Sequence, residues 1–431
     1  MPASESAESH RLVSLDVFRG ITIAGMILVN NPGDGRYRSA PLAHAHWHGW
    51  TPTDLIFPFF LFIVGVAMTF SFARRRALGH SSVRLFEQVL RRSLIIFLLG
   101  LTMHGFPDWR LIGPCAMAIA GLVVLFVDEP PLGLGRTRAG TIRKIVAVAA
   151  LSGAASWCAL DFAYFQASTL RIPGVLQRIA CCYLAASIIV MFFGLRGRLL
   201  WIVGLLAWYW LVVALVHPPA GFSAAVIGSE GRLHEWIDVC VFGDHLYFER
   251  PDPLGLLSTL PAIATTLMGV LAGSWLHARR DPVEKVVGMF LAANVLLVAG
   301  SAMGHWFPIN KKLWTSSYAV FTAGMALHCL AMCYWLVDVK RFRRWSLPFV
   351  IFGTNAIAVY FASSLFARTL SIWKFSLADG QPVSVKQWIF ENVFACWAGP
   401  YGGSLGYAVC YVAVWGLLAS WLYRRRVFIK V

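Results

Sequence analysis

Residues 42–73 read LAHAHWHGWTPTDLIFPFFLFIVGVAMTFSFA, and the second half of that stretch decides the fold. Between Thr53 and Ala73 the single charge is Asp54, and Arg74, Arg75 and Arg76 follow at once. An α-helix rises about 1.5 Å per residue, so roughly 20 apolar residues cross a hydrocarbon core about 30 Å thick. The run predicts a membrane-spanning helix over 53–73, with basic residues at one end and a histidine-rich loop at the other.

The rest of the chain repeats that pattern. Its 431 residues are 58% apolar and 13% charged, with a mean hydropathy of +0.65, a composition outside that of ordinary soluble domains. About twelve apolar runs long enough to span can be marked, near 14–32, 53–73, 91–106, 110–127, 143–163, 172–194, 199–217, 256–277, 284–305, 313–337, 346–369 and 404–423. The short third and fourth are compatible with one broken hairpin. The expected fold is an all-α polytopic membrane protein: a tail over 1–13, a transmembrane domain over 14–425 and a tail over 426–431. Long polar connections fall at 218–255 and 371–402.

Basic residues set the orientation. Numbering the loops alternately, one set carries 24 Lys and Arg and the opposite set 10, so the positive-inside rule predicts both termini in the cytoplasm. The net charge of +16 is thus mostly a topology signal. No nucleic-acid partner is expected, because the basic residues lie in short loops and no binding module separates from the spans. Seven of the nine cysteines lie inside apolar runs, as small buried hydrophobes; Cys240 and Cys396 fall on the outer side. Ala43-His44-Ala45 imitates a signal-peptidase site. Asp16 and Arg19 at the head of the first run, and the polar stretch that follows it, are unlike a signal peptide, so the first helix is expected to be retained.

With the termini inside, the first helix runs outward and Asp54 begins the returning one, where a carboxylate also gains from the helix dipole. That gain alone accounts for an acid at this position. The functional reading rests on its company: Asn30, His44 and Asp54 would gather at one depth while Trp47, Trp50 and Phe57 exclude water. Three roles are open to His44, His46 and His48. Alternating histidines in an extended strand suit a metal, but a further ligand is needed and Asp54 is better placed as an orienter, so no metal is expected. A belt of Trp and His suits headgroup depth. General-base catalysis suits an imidazole, whose ordinary pKa lies near about 6.5.

Seven segments in order carry a resemblance: SLDVFRG (14–20), VNN (29–31), HAHWHGWTPTDLIFPFFLFIVG (44–65), RIPGVLQR (171–178), GDHLY (243–247), NKKLW (310–314) and FGTNAIAVY (352–360). Together they resemble the heparan-α-glucosaminide N-acetyltransferase family, and its bacterial members in particular. The resemblance implies a transmembrane acetyltransferase in a bacterial inner membrane, forming a homodimer. It would use cytoplasmic acetyl-CoA, with no metal, to acetylate the amino group of a glucosamine across the bilayer. The family's His-Ala-x-Trp-x-Gly motif falls on His44, Ala45, Trp47 and Gly49, which makes His44 the catalytic candidate, as base or as acetyl carrier. Its asparagine and acid fall on Asn30, for the oxyanion, and Asp54, to orient the ring.

At the inner end, Asp16 and Arg19 share a helix face and read either as an ion pair or as part of a phosphate site. Arg178 and Asn355, inside spans, are the other candidates for lining a coenzyme A cavity. For the sugar, the outer candidates are Asp244, His245, Asp252, Asn310, Lys311, Trp314 and Trp47. Leu254 stands where the family often has an acid, and an extra hydrophobic hairpin over about 107–168 would expand a ten-helix family core to twelve. Heparan sulfate is not the expected substrate; a bacterial amino sugar is. Two rival readings remain, a secondary carrier for amino sugars and an O-acyltransferase acting on a glycan.

Overall fold

The computed structural model describes residues 12–125, 145–157, 170–220, 222, 231–247, 250–376 and 381–429. In chain order the helices are α1 (Val13–Asn30), α2 (Pro52–Ala77), α3 (Ser82–Gly105), α4 (Trp109–Leu125), α5 (Ile145–Trp157), α6 (Val175–Phe192), α7 (Leu195–Leu215), α8 (Arg232–Phe242), α9 (Thr259–His277) and α10 (Pro282–Met303). They continue with α11 (Ser316–Cys333, prolonged in π geometry to Val339), α12 (Leu347–Thr354), α13 (Ala356–Ile372), α14 (Val385–Ile389) and α15 (Cys396–Arg424). A short antiparallel strand pair, β1 (Lys374–Ser376) and β2 (Pro382–Ser384), joins the helices among the described residues.

Among the described residues, eight helices are long and apolar enough to cross a membrane, and nine if the pair α12–α13 counts as one span. The difference from the expected twelve lies in the first half. The helix α3 opens with Arg84, Glu87, Arg91 and Arg92, and the described stretches of α4 and α5, which border residues outside the described ones, are shorter than a bilayer crossing needs. The hairpin expected over 107–168 is represented by α4 and α5, the rest lying outside the described residues. The run 346–369 is bent by 82° between Thr354 and Ala356.

Five helices make the centre: α1, α2, α6, α9 and α11 each bury more than half of their apolar stretch, whereas α7 buries 11% and α10 22%. Lipid tails are as apolar as Leu, so close approach of backbones has to hold such a bundle together. At the crossing of α2 and α9 a Cβ on Gly65 would overlap the carbonyl of Thr266, and one on Gly269 the carbonyl of Phe62. The α1–α12 contact is closed in the same way by Gly20 against Phe349 and Gly353 against Asp16.

The long helix α11 gives the bundle two ends. Near its start, the Tyr318 hydroxyl donates to the Asp54 carbonyl at 2.5 Å. Past its end, Asp338 accepts from the Ser14 amide at 3.2 Å. Twenty residues of helix separate these points by about 30 Å.

Candidate active site

The local fold explains why Asp54 points where it does. Thr51 precedes the first turn of α2 and Asp54 is the third helical residue, so its carboxylate turns back and accepts the Thr51 N–H at 3.0 Å, as in a capping box. The Thr51 hydroxyl donates to the Ala43 carbonyl at 2.7 Å and Thr53 to that of Pro41 at 3.1 Å, which folds residues 41–45 over the helix start. Gly49, at φ 89°, turns the loop back so that its N–H reaches the Ile309 carbonyl at 2.8 Å. A side chain there would be strained. The histidine loop is thereby stitched to the segment between α10 and α11.

Three side chains meet at this junction. His44 Nδ1 lies 2.8 Å from Asp54 Oδ1, Lys311 Nζ lies 3.1 Å from the same oxygen, and Lys311 Nζ is 2.8 Å from His44 Nδ1. The Asp54 side chain is fully buried, and its Oδ2 accepts the Ala45 N–H at 3.0 Å as well as that of Thr51. His44 is 45% exposed. Burial holds Lys311 below the ordinary lysine value, against the pull of Asp54 in the opposite direction.

Nδ1 cannot both donate to Asp54 and accept from Lys311. When Nδ1–H donates to the carboxylate, Nε2 carries the lone pair and can accept a proton. When the Lys311 ammonium donates to Nδ1, Nε2 carries the proton. The site therefore holds either tautomer, and Asp54, through its negative charge, favours the one with a basic Nε2.

The other expected residues fall into distinct places. Asn30 is exposed at the end of α1, and among the described residues no hydrogen bond joins it to His44 or Asp54. His46 and His48 are exposed beside His44, and Lys312 lies over the Trp47 ring at 5.8 Å. Asn310 is buried and shapes the loop that carries Lys311: its Oδ1 accepts the Leu313 N–H at 3.1 Å. Trp314 is 1% exposed and packs edge-on against Phe57 and Tyr318, so it braces the site from below and presents no face to a sugar.

Asp252 likewise has no free oxygen for a sugar. It forms a two-pronged pair with Arg171 at 2.7 and 3.2 Å and accepts the amides of Tyr247 and Leu254. His245 Nδ1 bonds the Leu170 carbonyl at 2.8 Å, joining GDHLY to the start of RIPGVLQR. Asp244 is exposed on the same turn. Arg178, expected at the coenzyme end, is instead buried at the end of the bundle that holds His44. It donates to the Gly255 carbonyl and the Ser258 hydroxyl and lies over the Trp314 ring at 5.2 Å.

At the opposite end Arg19 pairs with Asp16 at 3.3 Å and donates to the Gly353 carbonyl at 3.3 Å. Asn355 is buried at the bend between α12 and α13 and ties down the C-terminal segment, donating to the Val427 carbonyl at 3.0 Å and accepting from the Ile429 N–H at 2.8 Å. This pairing, not a ligand cavity, uses its amide. Arg75, Arg91 and Arg92 lie close enough to repel one another, and the buried Arg75 Nη1 and Arg92 Nε have no hydrogen-bond partner. Among the described residues no group of His, Cys, Asp and Glu is arranged to hold a metal.

Sequence reasoning missed Tyr318, Thr51 and the Arg171–Asp252 pair. It also missed a buried cluster on α8, where Tyr209 bridges His234 Nε2 at 2.9 Å and the Leu313 carbonyl at 2.6 Å. Burial pushes Asp238 of that helix up to about 7 and His234 down to about 3. A hydroxyl placed on an outward turn of α7 was the available signal for Tyr209; nothing in the spacing marked its partners.

Residues 11–107, which include the whole His44–Asp54 unit, match the profile of "Heparan-alpha-glucosaminide N-acetyltransferase, catalytic". Over that stretch the chain is similar to the family. It is 25% identical to the mouse heparan-alpha-glucosaminide N-acetyltransferase over 483 aligned positions, covering 100% of this chain and 62% of the relative. The human protein of the same name is 26% identical over 479 positions, covering 99% and 61%. The chain thus spans about three fifths of the length of these relatives. Two of the three residues at the junction, His44 and Asp54, lie within the stretch that the family profile matches, and Lys311 lies outside it.

Proposed function

We propose that the protein is a membrane-embedded acetyltransferase that moves the acetyl group of cytoplasmic acetyl-CoA to the amino group of a glucosamine-type sugar on the far side of the bilayer. The observation that carries this is the His44–Asp54–Lys311 junction: a partly exposed imidazole held through Nδ1 by a buried carboxylate, in a stretch similar to an N-acetyltransferase catalytic family.

In this reading His44 Nε2 removes a proton as the sugar nitrogen attacks the thioester carbonyl. The C–N bond forms, the C–S bond breaks, and the thiolate leaves to be protonated. Asp54 holds the tautomer that leaves Nε2 basic and offsets the charge on the imidazolium. Asn30, at the outer end of α1, is the proposed oxyanion donor. Lys311 belongs with the catalytic pair, positioning it, more than with the sugar. Arg19 and the Arg75–Arg92 group would hold the phosphates of coenzyme A, whose thioester supplies the activated acetyl group.

The architecture that suits this chemistry is the twelve-span one, a ten-helix core plus the α4–α5 hairpin, with both termini in the cytoplasm of a bacterial inner membrane and two copies forming a dimer. The substrate is a bacterial amino sugar. The bent pair α12–α13 favours a second reading, since broken helices mark the sites of secondary carriers. One experiment separates the two. Protein reconstituted in vesicles receives labelled acetyl-CoA on one face and a panel of amino sugars on the other. Acetylated sugar supports the enzyme; unmodified sugar carried across, with no product, supports the carrier.

A further inference from the structure

Beside the junction lies a cleft of about 280 Å³ whose lining includes His48, Asn310, Trp210, Val213, Ala214 and Trp306. Two observations bear on its occupant. The first is polar: Asn310 is fully buried, its Oδ1 is committed to the Leu313 N–H, and its Nδ2 has no hydrogen-bond partner. A buried N–H₂ without an acceptor costs about 1–3 kcal/mol, so this donor is retained against a price unless something accepts from it. The next residue along is Lys311, which touches His44.

The second observation is apolar. One wall comes from the last turns of α7, the least buried of the spanning helices, and Trp306 lies three residues past the end of α10, another helix that buries little of its surface. Trp210 is 43% and Trp306 78% exposed. Tryptophans at helix ends sit at headgroup depth. The cleft therefore joins Asn310, next in sequence to the lysine that touches His44, to exposed tryptophans and aliphatic side chains at the ends of two weakly buried spans.

Resting on the acetyl-transfer reading above, we infer that the acceptor is a lipid-anchored amino sugar, whose ring enters from the bilayer to meet Asn310 and His48 while the first carbons of its tail lie along Val213 and Ala214. A free or polymeric sugar would have no use for that wall. An acceptor held in the outer leaflet also arrives at the depth of His44 without leaving the membrane.

Methyl and butyl β-glucosaminide, both water-soluble, test this without the confusion of partitioning into vesicles. Their KM values are measured with labelled acetyl-CoA for the wild type, Ala214→Trp and Asn310→Asp, each checked for folding by its melting profile. Each buried methylene contributes roughly fourfold, so the KM of the butyl compound should lie at least about tenfold below that of the methyl compound. Ala214 is exposed, and Ala214→Trp should fold and bring that ratio to about one. Asn310→Asp keeps the acceptor for Leu313 and removes the donor, and should raise both KM values about tenfold with the KM for acetyl-CoA unmoved. Equal KM values for the two compounds in the wild type, or an undiminished ratio in Ala214→Trp, overturn the lipid-anchored acceptor and leave acetyl transfer standing. No product from any acceptor overturns the parent reading as well.

Discussion

Replacing Asp54 by Asn tests the junction with almost no change of shape. Asp54 Oδ2 accepts two amides, those of Ala45 and Thr51, which only an oxygen can satisfy. The new amide must then place its oxygen there and its N–H₂ where Oδ1 now faces His44 Nδ1 and Lys311 Nζ. An N–H₂ pointing at Nδ1 forces Nδ1 to accept, so the ring proton moves to Nε2 and the base is lost. The same swap of acid for amide behind a catalytic histidine lowers kcat by about 10⁴ in the serine-hydrolase triad. A fall of about 10²–10⁴ in kcat is expected here, with little change in the KM for acetyl-CoA. Folding should weaken by about 1.5–3 kcal/mol, the worth of a charge-assisted bond lost by a largely buried Lys311. The assay is acetylation of glucosamine by reconstituted protein, with melting in detergent as the check on folding. In a His44→Ala background the same substitution should cost almost nothing further, because the two residues act as a unit. A folded Asp54→Asn protein within threefold of wild-type kcat would refute the tautomer argument.

Two further outcomes concern the scaffold. Burial raises Asp238 from 3.8 to about 7, so the folded chain holds a proton there that the unfolded chain releases. The associated stability is present below about pH 4 and is lost as pH rises through 7; the melting temperature of Asp238→Asn relative to wild type should climb between pH 5 and 8, and a pH-independent difference would contradict this. Gly65→Ala places a Cβ against the Thr266 carbonyl at the α2–α9 crossing, and a cost of about 1–3 kcal/mol is expected, read as a lower melting temperature; an unchanged one would show that the helices do not meet there.

How much of this was legible depended on distance along the chain. The helix α2 could be read from its own residues because nothing but an apolar run of that length fits a bilayer. The pairing of His44 with Asp54 was legible too, since ten residues and one turn separate them and the helix start fixes the geometry. Lys311 lies 267 positions from His44, and only the packing of α11 on α2 brings it there. Residue type misled in the same way at Trp314 and Asp252. A tryptophan and an acid in outer segments suggest a sugar site, but both face inward, one against Phe57 and the other onto Arg171. The break before α13 was hidden because Asn355 is a single polar residue in an apolar run, and what it binds, the backbone of Val427 and Ile429, is remote. The start of α3 was placed late because hydropathy stops at its arginines, while the helix continues back to a Ser81 cap on the Arg84 amide at 3.3 Å.

The central claim is that His44, alone of the three histidines, takes the proton during acetyl transfer. The most direct measurement is acetylated product formed by wild type, His44→Ala, His46→Ala and His48→Ala in vesicles with acetyl-CoA and a glucosamine acceptor. The expected result is a loss of about 10²–10⁴-fold in kcat for His44→Ala with acetyl-CoA binding intact, and small losses for the other two. Full acetylation by a folded His44→Ala protein would contradict it.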